Sequence, residues 1–375
     1  MLFLSGWISY VRFSIALPIA LQLPPTFILS LLPPPFSFSP FLLSPFTFHL
    51  SLFTIFALPM QVHRNIEQLP LFQNAILTIG TFDGVHLGHG SIIEQMKSLA
   101  KEVNGETVIL TFHPHPRRIV GKELQPVLLL NSMAEKIKLL EAAGIDHLVV
   151  VPFTPEFAAQ SPKAYVEEFL IQNFHPHTVI IGYDHRFGQN REGDFKLLET
   201  YAAEQAFGLV EIPGKLLEEA TISSTRIRQA LLQGDIELAG NLLGYDYFFE
   251  GLVVKGNQLG RTLGYPTANL QLIDNEKLIP ANGVYAVTVS FPNKTLSDPE
   301  HLNGMMNIGV RPTVDGLSRV IEVNIFDFKK DIYGETICVT LKKWLRAEQK
   351  FNGLDALKEQ LGKDKIASIQ ALGLT

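Results

Sequence analysis

The chain has 375 residues, with 31 Lys and Arg against 37 Asp and Glu, and a single cysteine, Cys338. That length accommodates two domains, and the mildly acidic balance leaves no broad basic face for nucleic acid. A lone cysteine excludes an internal disulfide and suits a reducing, cytoplasmic compartment.

Residues 1–59 differ from the rest. They hold one Arg (Arg12), no Lys, Asp or Glu, and prolines that interrupt every apolar run. A membrane span needs about 20 predominantly apolar residues, and neither a cleavage site nor an Arg-rich transit pattern is evident. A poor anchor, an odd targeting segment and an extension outside the working protein are the alternatives. Ordinary polar sequence opens at Met60 with "MQVHRNIEQLP", which favours the last and leaves no membrane association expected of the Met60 form.

From residue 75 to about 215, short apolar runs alternate with helical patterns. The runs "AILTIG", "TVILTF", "HLVVVPF", "TVIIG" and "LVEIP" show little alternation, as strands buried on both faces of a parallel sheet do. Ser132 and Glu135 form a capping box ahead of "KIKLLEAAG", which Gly144 is placed to end. Ser161 and Pro162 supply a cap and an N1 proline for "AYVEEFLIQNF". The pattern predicts a doubly wound α/β domain. Helices over "STRIRQALLQG" and "DIELAGNLLG" close it near Gly244, giving expected domains of 60–244 and 245–375. The second half reads as alternating β runs, "YFFEGLVVKG", "GVYAVTVSF", "RVIEVNIFDF" and "ETICVTLKKW". Gly, Pro and Asn turns separate them, which predicts a small antiparallel barrel or sandwich before a final helix.

The stretch "GTFDGVHLGHG", residues 80–90, leaves the first of the buried runs and opens a helix. That is where open α/β sheets bind ligands and where free backbone N–H groups favour anions. The alternative for His86 and His89 is a tight turn with two half-exposed imidazoles. Further polar groups follow the other strands: His113, His115, Arg117 and Arg118 in "TFHPHPRR", and Asp184, His185, Arg186 and Arg191 in "GYDHRFGQNREGD". Hydroxyls precede Arg226 and Arg228 in "ISSTRIR". Histidines, arginines and hydroxyls gathered at a helix N-terminus suit a triphosphate and a departing pyrophosphate. A zinc site from the two His-Pro-His runs is the competing reading, but His175 and His177 precede their strand, at the opposite end of the sheet from His86.

In the second half, "GRTLGYPTANL" fixes a sharp path through Gly260, Gly264 and Pro266, and places Thr267 and Asn269 on one face of the next strand. Such oxygens suit magnesium with nucleotide phosphates; a turn-and-cap pair is the alternative. Glu322 is an acidic residue in an apolar strand, either surface-facing or a general base toward an alcohol.

These motifs, with "GVYAV", "NIGVRPTV" and "LRAEQKF", closely resemble the bacterial bifunctional riboflavin kinase/FAD synthetases over residues 60–375. The resemblance implies an HxGH nucleotidyltransferase domain followed by a six-stranded kinase barrel. It implies that ATP and Mg²⁺ convert riboflavin to FMN, and that a second ATP converts FMN to FAD and pyrophosphate. His86 and His89 would act at the ATP phosphates. Gly80, Phe82, Asp83, Gly84, Gly88, Asp184, Ser224, Thr225, Arg226 and Arg228 would bind the nucleotide, and His113, His115 and Arg186 the flavin. In the barrel, Gly260, Gly264, Thr267 and Asn269 would bind Mg-ATP, Glu322 would activate the ribityl 5′-hydroxyl, and Arg346 and Asn307 would lie by the flavin. Gly90 stands where the family often has glutamine. Two readings compete with this one: adenylyl transfer to another phosphorylated substrate beside a degenerate barrel, and a non-catalytic flavin- or nucleotide-binding regulator.

Overall fold

Six parallel strands form the first sheet of the computed structural model: β1 Gln61–His63, β2 Ile76–Ile79, β3 Thr107–His113, β4 His147–Pro152, β5 Thr178–Gly182 and β6 Gly208–Ile212. The structure describes residues 59–121, 128–182, 185–204, 206–212, 223–292, 301–313 and 316–374, with no side chains described for 312–318. All of these lie within the unit Phe56–Thr375; residues 1–58 fall outside them.

The strand order β1-β4-β3-β2-β5-β6 is doubly wound. From β2 the chain builds outward through β3 and β4, then returns to lay β5 on the other side of β2 and β6 beyond it. The C-terminal ends of β2 and β5 therefore flank the switch point where such sheets bind ligands. The five apolar runs are β2 to β6. The edge strand β1 escapes a reading by composition, because "QVH" is three residues long and takes its identity from pairing with His147–Val149.

The helices follow their local signals. α1 spans Leu87–Val103, and a short α2 covers Pro116–Val120. In α3, Met133–Ala142, the Ser132–Glu135 capping box is complete. After the turn α4, Pro155–Ala158, Ser161 caps α5, Pro162–Ala164, by accepting from the Ala164 N–H. The expected α-helix then winds as a π-helix over Tyr165–Ile171 before α6, Gln172–Phe174. That wider winding keeps Tyr165, Phe169, Leu170 and Phe174 buried together. α7 is Phe195–Ala203, α8 Ser224–Gln233 and α9 Ile236–Leu243.

The second half closes a barrel in the order β10-β11-β8-β7-β12-β9. Its strands are β7 Phe248–Val254, β8 Ala268–Leu272, β9 Gly283–Ser290, β10 Leu302–Thr313, β11 Gly316–Ile325 and β12 Thr336–Arg346. α10, Leu259–Leu263, precedes β8, and α11, Leu354–Ala371, ends the fold. Closure leaves no exposed sheet edge. Alternate residues (Phe249, Tyr285, Met306, Val323 and Val339 among them) fill the interior, and the same core runs on into α8 and α9.

Leu77, on the central strand β2, is wholly buried. Leu77→Ala is expected to cost about 2–5 kcal/mol in urea unfolding. A loss well under about 1 kcal/mol would contradict a strand packed on both faces.

Candidate active sites

The loop after β2 is built around the Asp83 carboxylate, which is 2 % exposed. Its Oδ1 accepts the N–H groups of Leu130 at 2.8 Å and Asn131 at 3.4 Å, and its Oδ2 is paired with Arg228. Arg228 Nε also donates to the Leu128 carbonyl at 2.8 Å, and Ser224 Oγ to the Asp83 carbonyl at 2.9 Å. The "ISSTRIR" helix is thereby fastened to the "GTFDGVHLGH" loop, 141 and 145 residues away in sequence. Gly84 takes φ of +92°, and a Cβ there would come within 2.7 Å of Leu130 Cδ1, so both backbone and packing require glycine.

His86 occupies the N-cap of α1 without its side chain capping it. Its ring stacks on His89 with centroids 3.8 Å apart, and His89 stacks on Phe82 at 4.7 Å. Nδ1 of both histidines is buried and lacks a hydrogen-bond partner, so each retains bonding capacity at the helix N-terminus. Burial pushes His86 down to about 4 and holds His89 well below the ordinary imidazole value, with the charges of His86 and Lys136 adding to the latter effect. Both rings are therefore neutral at pH 7. His115 is likewise lowered to about 4 by burial, and its Nδ1 accepts from the Arg117 N–H, starting α2. Gly88 is buried in the first turn of α1, whereas a Cβ on Gly90 would meet nothing within 4 Å.

The remaining expected residues are distributed around this centre. Thr225 and Arg226 are exposed in the first turn of α8, whose cap is Ser223. His113 is exposed at the end of β3, and Arg186 pairs with Asp194 at 3.0 Å. Asp184 lies outside the described residues. His175 and His177 stand before β5, at the far end of the sheet. One residue here went unread: Lys136, 6 % exposed, donates from Nζ to the Thr81 carbonyl at 2.7 Å, and burial lowers it to about 8. Its signal was a lysine on the apolar face of α3, three residues after Met133 and four before Leu140.

In the barrel, a single row of cross-strand partners holds most of the polar residues expected to act there. Val254 lies opposite Asn269, Asn269 opposite Glu322, Glu322 opposite Asn307, Asn307 opposite Val284, and Val284 opposite Arg346. Directly opposed residues share a sheet face, and their neighbours Val253, Val323, Met306 and Tyr285 belong to the core, so this row faces outward. There a cavity of about 260 Å³ separates the barrel wall from α11, and Thr267, Asn307, Glu322, Arg346, Phe351 and Leu361 help to line it. Arg311 donates to Glu322 Oε2 at 2.8 Å. Arg346 makes two bonds to Asp364 of α11, at 2.8 and 2.6 Å, and so anchors that helix over the cavity. A second cavity, about 80 Å³, is lined by Arg261, Lys330, Asp331 and Tyr333, and Thr267 borders both. Gly260 lies in α10, and Gly264, with φ of +86°, ends it. Asn269 sits so close to Gly256 that any Cβ there would overlap its carboxamide.

The buried histidines impose a pH dependence. Unfolded, His86 takes up a proton near pH 6.5; folded, it does so only near 4. Between those values the unfolded chain binds more protons, so stability is complete above about pH 6.5 and is lost as the pH falls toward 4, by a few kcal/mol at most. His86→Gln is expected to flatten that slope in denaturation measured from pH 7 to 4. A His86 imidazole titrating near 6.5 by NMR in the intact protein would contradict the burial of this ring.

Comparisons with known proteins agree with this architecture. A family model described as FAD synthetase matches residues 69–226, and one described as riboflavin kinase matches 243–372. A bifunctional riboflavin kinase/FMN adenylyltransferase of Haemophilus influenzae is 40% identical over 308 residues, covering 81% of this chain and 97% of the relative. Its counterpart in Bacillus subtilis is 38% identical over 299 residues, covering 79% and 92%. A crystal structure from Streptococcus pneumoniae, titled as a macrolide-efflux protein, is 30% identical with a TM-score of 0.70, covering 83% of this chain and 99% of that one. Among the described residues of the present chain, no helix is long and apolar enough to cross a membrane. Two matched domains in fixed order, and relatives covered almost from end to end, place this chain in the bifunctional riboflavin kinase/FMN adenylyltransferase family.

Proposed function

We propose that the chain makes FAD from riboflavin in two ATP-dependent steps at two separate sites. The observation that carries this reading is the pairing, in one chain, of a carboxylate-lined barrel cavity with a neutral histidine stack at the switch point of a parallel sheet. We assign residues 60–244 to adenylyl transfer and 245–375 to phosphorylation. We place the enzyme in the cytoplasm, where a free Cys338, its thiol pushed up to about 11 by burial, remains inert.

In the barrel, Glu322 accepts the proton of the ribityl 5′-hydroxyl while that oxygen attacks the γ-phosphorus and ADP departs. Arg311 holds the carboxylate in place. Thr267 borders both cavities; we assign the flavin to the larger one, beside Asn307 and Arg346, and the nucleotide to the smaller, with Gly260 and Gly264 in the turn ahead of Thr267. Thr267 and Asn269 present hard oxygens suited to Mg²⁺, and Gly256 leaves the room that the Asn269 carboxamide occupies. Magnesium bound with a nucleotide takes much of its coordination from phosphates and water. When bound, Mg²⁺ supplies neutralisation of phosphate charge.

At the sheet, an FMN phosphate oxygen attacks the α-phosphorus of a second ATP, and pyrophosphate leaves without a covalent enzyme intermediate. His86 and His89, neutral and stacked, donate hydrogen bonds to phosphate oxygens as charge develops. The N-termini of α1 and α8, with Ser224, Thr225 and Arg226, face the same anion. His113, His115 and Arg186 lie toward the flavin phosphate.

Incubated with riboflavin, ATP and Mg²⁺, the chain is expected to show FMN rising and then giving way to FAD on chromatography. FMN formation alone would remove the second assignment. Glu322→Gln should slow phosphorylation by about 10²–10⁴-fold yet still convert supplied FMN. His86→Ala should slow adenylylation by about 10²–10³-fold and spare phosphorylation. Loss of both activities in either folded variant would refute independent sites.

A further inference from the structure

Between the two sites lies a buried ion pair that neither reaction uses. Lys277 Nζ meets Glu135 Oε2 at 2.6 Å, with both side chains about 2 % exposed. Lys277 belongs to the riboflavin kinase region, just ahead of β9, and lines neither barrel cavity. Glu135 belongs to the FAD synthetase region, in the first turn of α3. A buried pair is a weak source of net stability, because the desolvation of both charges offsets their attraction. What this pair holds in place is therefore the more informative question.

Lys277 Nζ also donates to the Leu130 carbonyl at 2.6 Å, while the N–H of the same Leu130 donates to Asp83 Oδ1 at 2.8 Å. One residue is thus gripped from opposite sides, by the kinase region and by the nucleotide loop. The backbones join beside it: Leu129 donates to the Glu276 carbonyl at 2.7 Å and accepts from the Leu278 N–H at 2.8 Å. Glu135 is filled by further donors, the Ser132 N–H at 2.9 Å and the Glu250 N–H at 3.3 Å. The Tyr247 ring lies 4.3 Å from Lys277 Nζ. Beyond Leu130, Asp83 starts the turn that ends in His86 and His89, and Gly84 packs directly on the Leu130 side chain.

We infer that Lys277 is a positioning residue for adenylyl transfer, contributed by the other catalytic region, which sets the His86–His89 loop through Leu130 and Asp83. This rests on the adenylyltransferase reading of that loop. A lysine suits the task because its ammonium can donate to Glu135 and to a backbone carbonyl at once. The inference makes the kinase region a structural part of the second active site while leaving its own cavity out of the linkage.

The test uses the full chain carrying Lys277→Met, and a second variant, Lys277→Met with Glu135→Gln, which leaves no unpaired buried charge should the first not fold. Riboflavin phosphorylation, adenylylation of supplied FMN, and hydrogen exchange at the Leu130 and Asn131 amides are measured on each folded variant. The expected result is a kcat for adenylylation at least tenfold lower, KM for ATP and FMN within about threefold, phosphorylation within twofold, and faster exchange at both amides. Unchanged adenylylation, or a parallel fall of both activities with the thermal midpoint, would overturn the inference and mark the pair as interdomain packing alone. An unsubstituted chain that phosphorylates riboflavin but never adenylylates FMN would instead overturn the reading on which it rests.

Discussion

A carboxylate with almost no exposure must be neutralised and hydrogen-bonded, or the chain will not bury it. Asp83 meets that demand with two backbone N–H groups and the Arg228 guanidinium. The constraint draws three distant segments to one point: the loop after β2, the stretch before α3, and α8. Once they meet, the His86–His89 stack has only one place to lie, at the switch point with its rings desolvated. The neutrality of the two imidazoles follows from that burial and suits hydrogen-bond donation to an anion that already carries ample charge.

The barrel solves a different problem. Its interior is packed with apolar side chains, so the polar row lies on its outer wall, where its partly buried charges are paired. Asn269, Glu322, Asn307 and Arg346 share one row of cross-strand partners, and α11, anchored through Arg346 and Asp364, covers the Glu322, Asn307 and Arg346 part of it. Here Arg346 is a fastening for the covering helix, in addition to the place by the flavin that family resemblance implies for it.

Legibility in the sequence followed the range of each interaction. Four buried strands, β2 to β5, the Ser132–Glu135 capping box and the helix stop at Gly144 depend on neighbours a few residues away, and were readable there. "LVEIP" was readable as a strand, but β6 lies at the sheet edge, where Gly208 and Glu211 are exposed rather than buried. Strand β1 was missed because three ordinary residues acquire strand character only by pairing with β4. The π-helical winding of Tyr165–Ile171 was missed because its apolar spacing serves an α-helix equally well. Lys136 left a faint trace, as a charge on an apolar face, whose meaning needed the Thr81 carbonyl beside it. Lys277 left none, since a lysine in a turn before a strand looks solvated until Leu130 and Glu135 enclose it.

By itself, the sequence determined the alternation of elements, the glycine and histidine types in the loop after β2, and the presence of Thr267, Asn269 and Glu322 in β-type runs, because these are properties of residue identity at fixed short spacing. Tertiary structure alone decided that Arg228 grips Asp83, that Glu322 lies opposite both Asn269 and Asn307, and that a lysine of one region holds the loop of the other. Those contacts join residues up to 147 positions apart. Their existence depends on closing the barrel and winding the sheet, and no local pattern records which distant partner will fill a buried polar group.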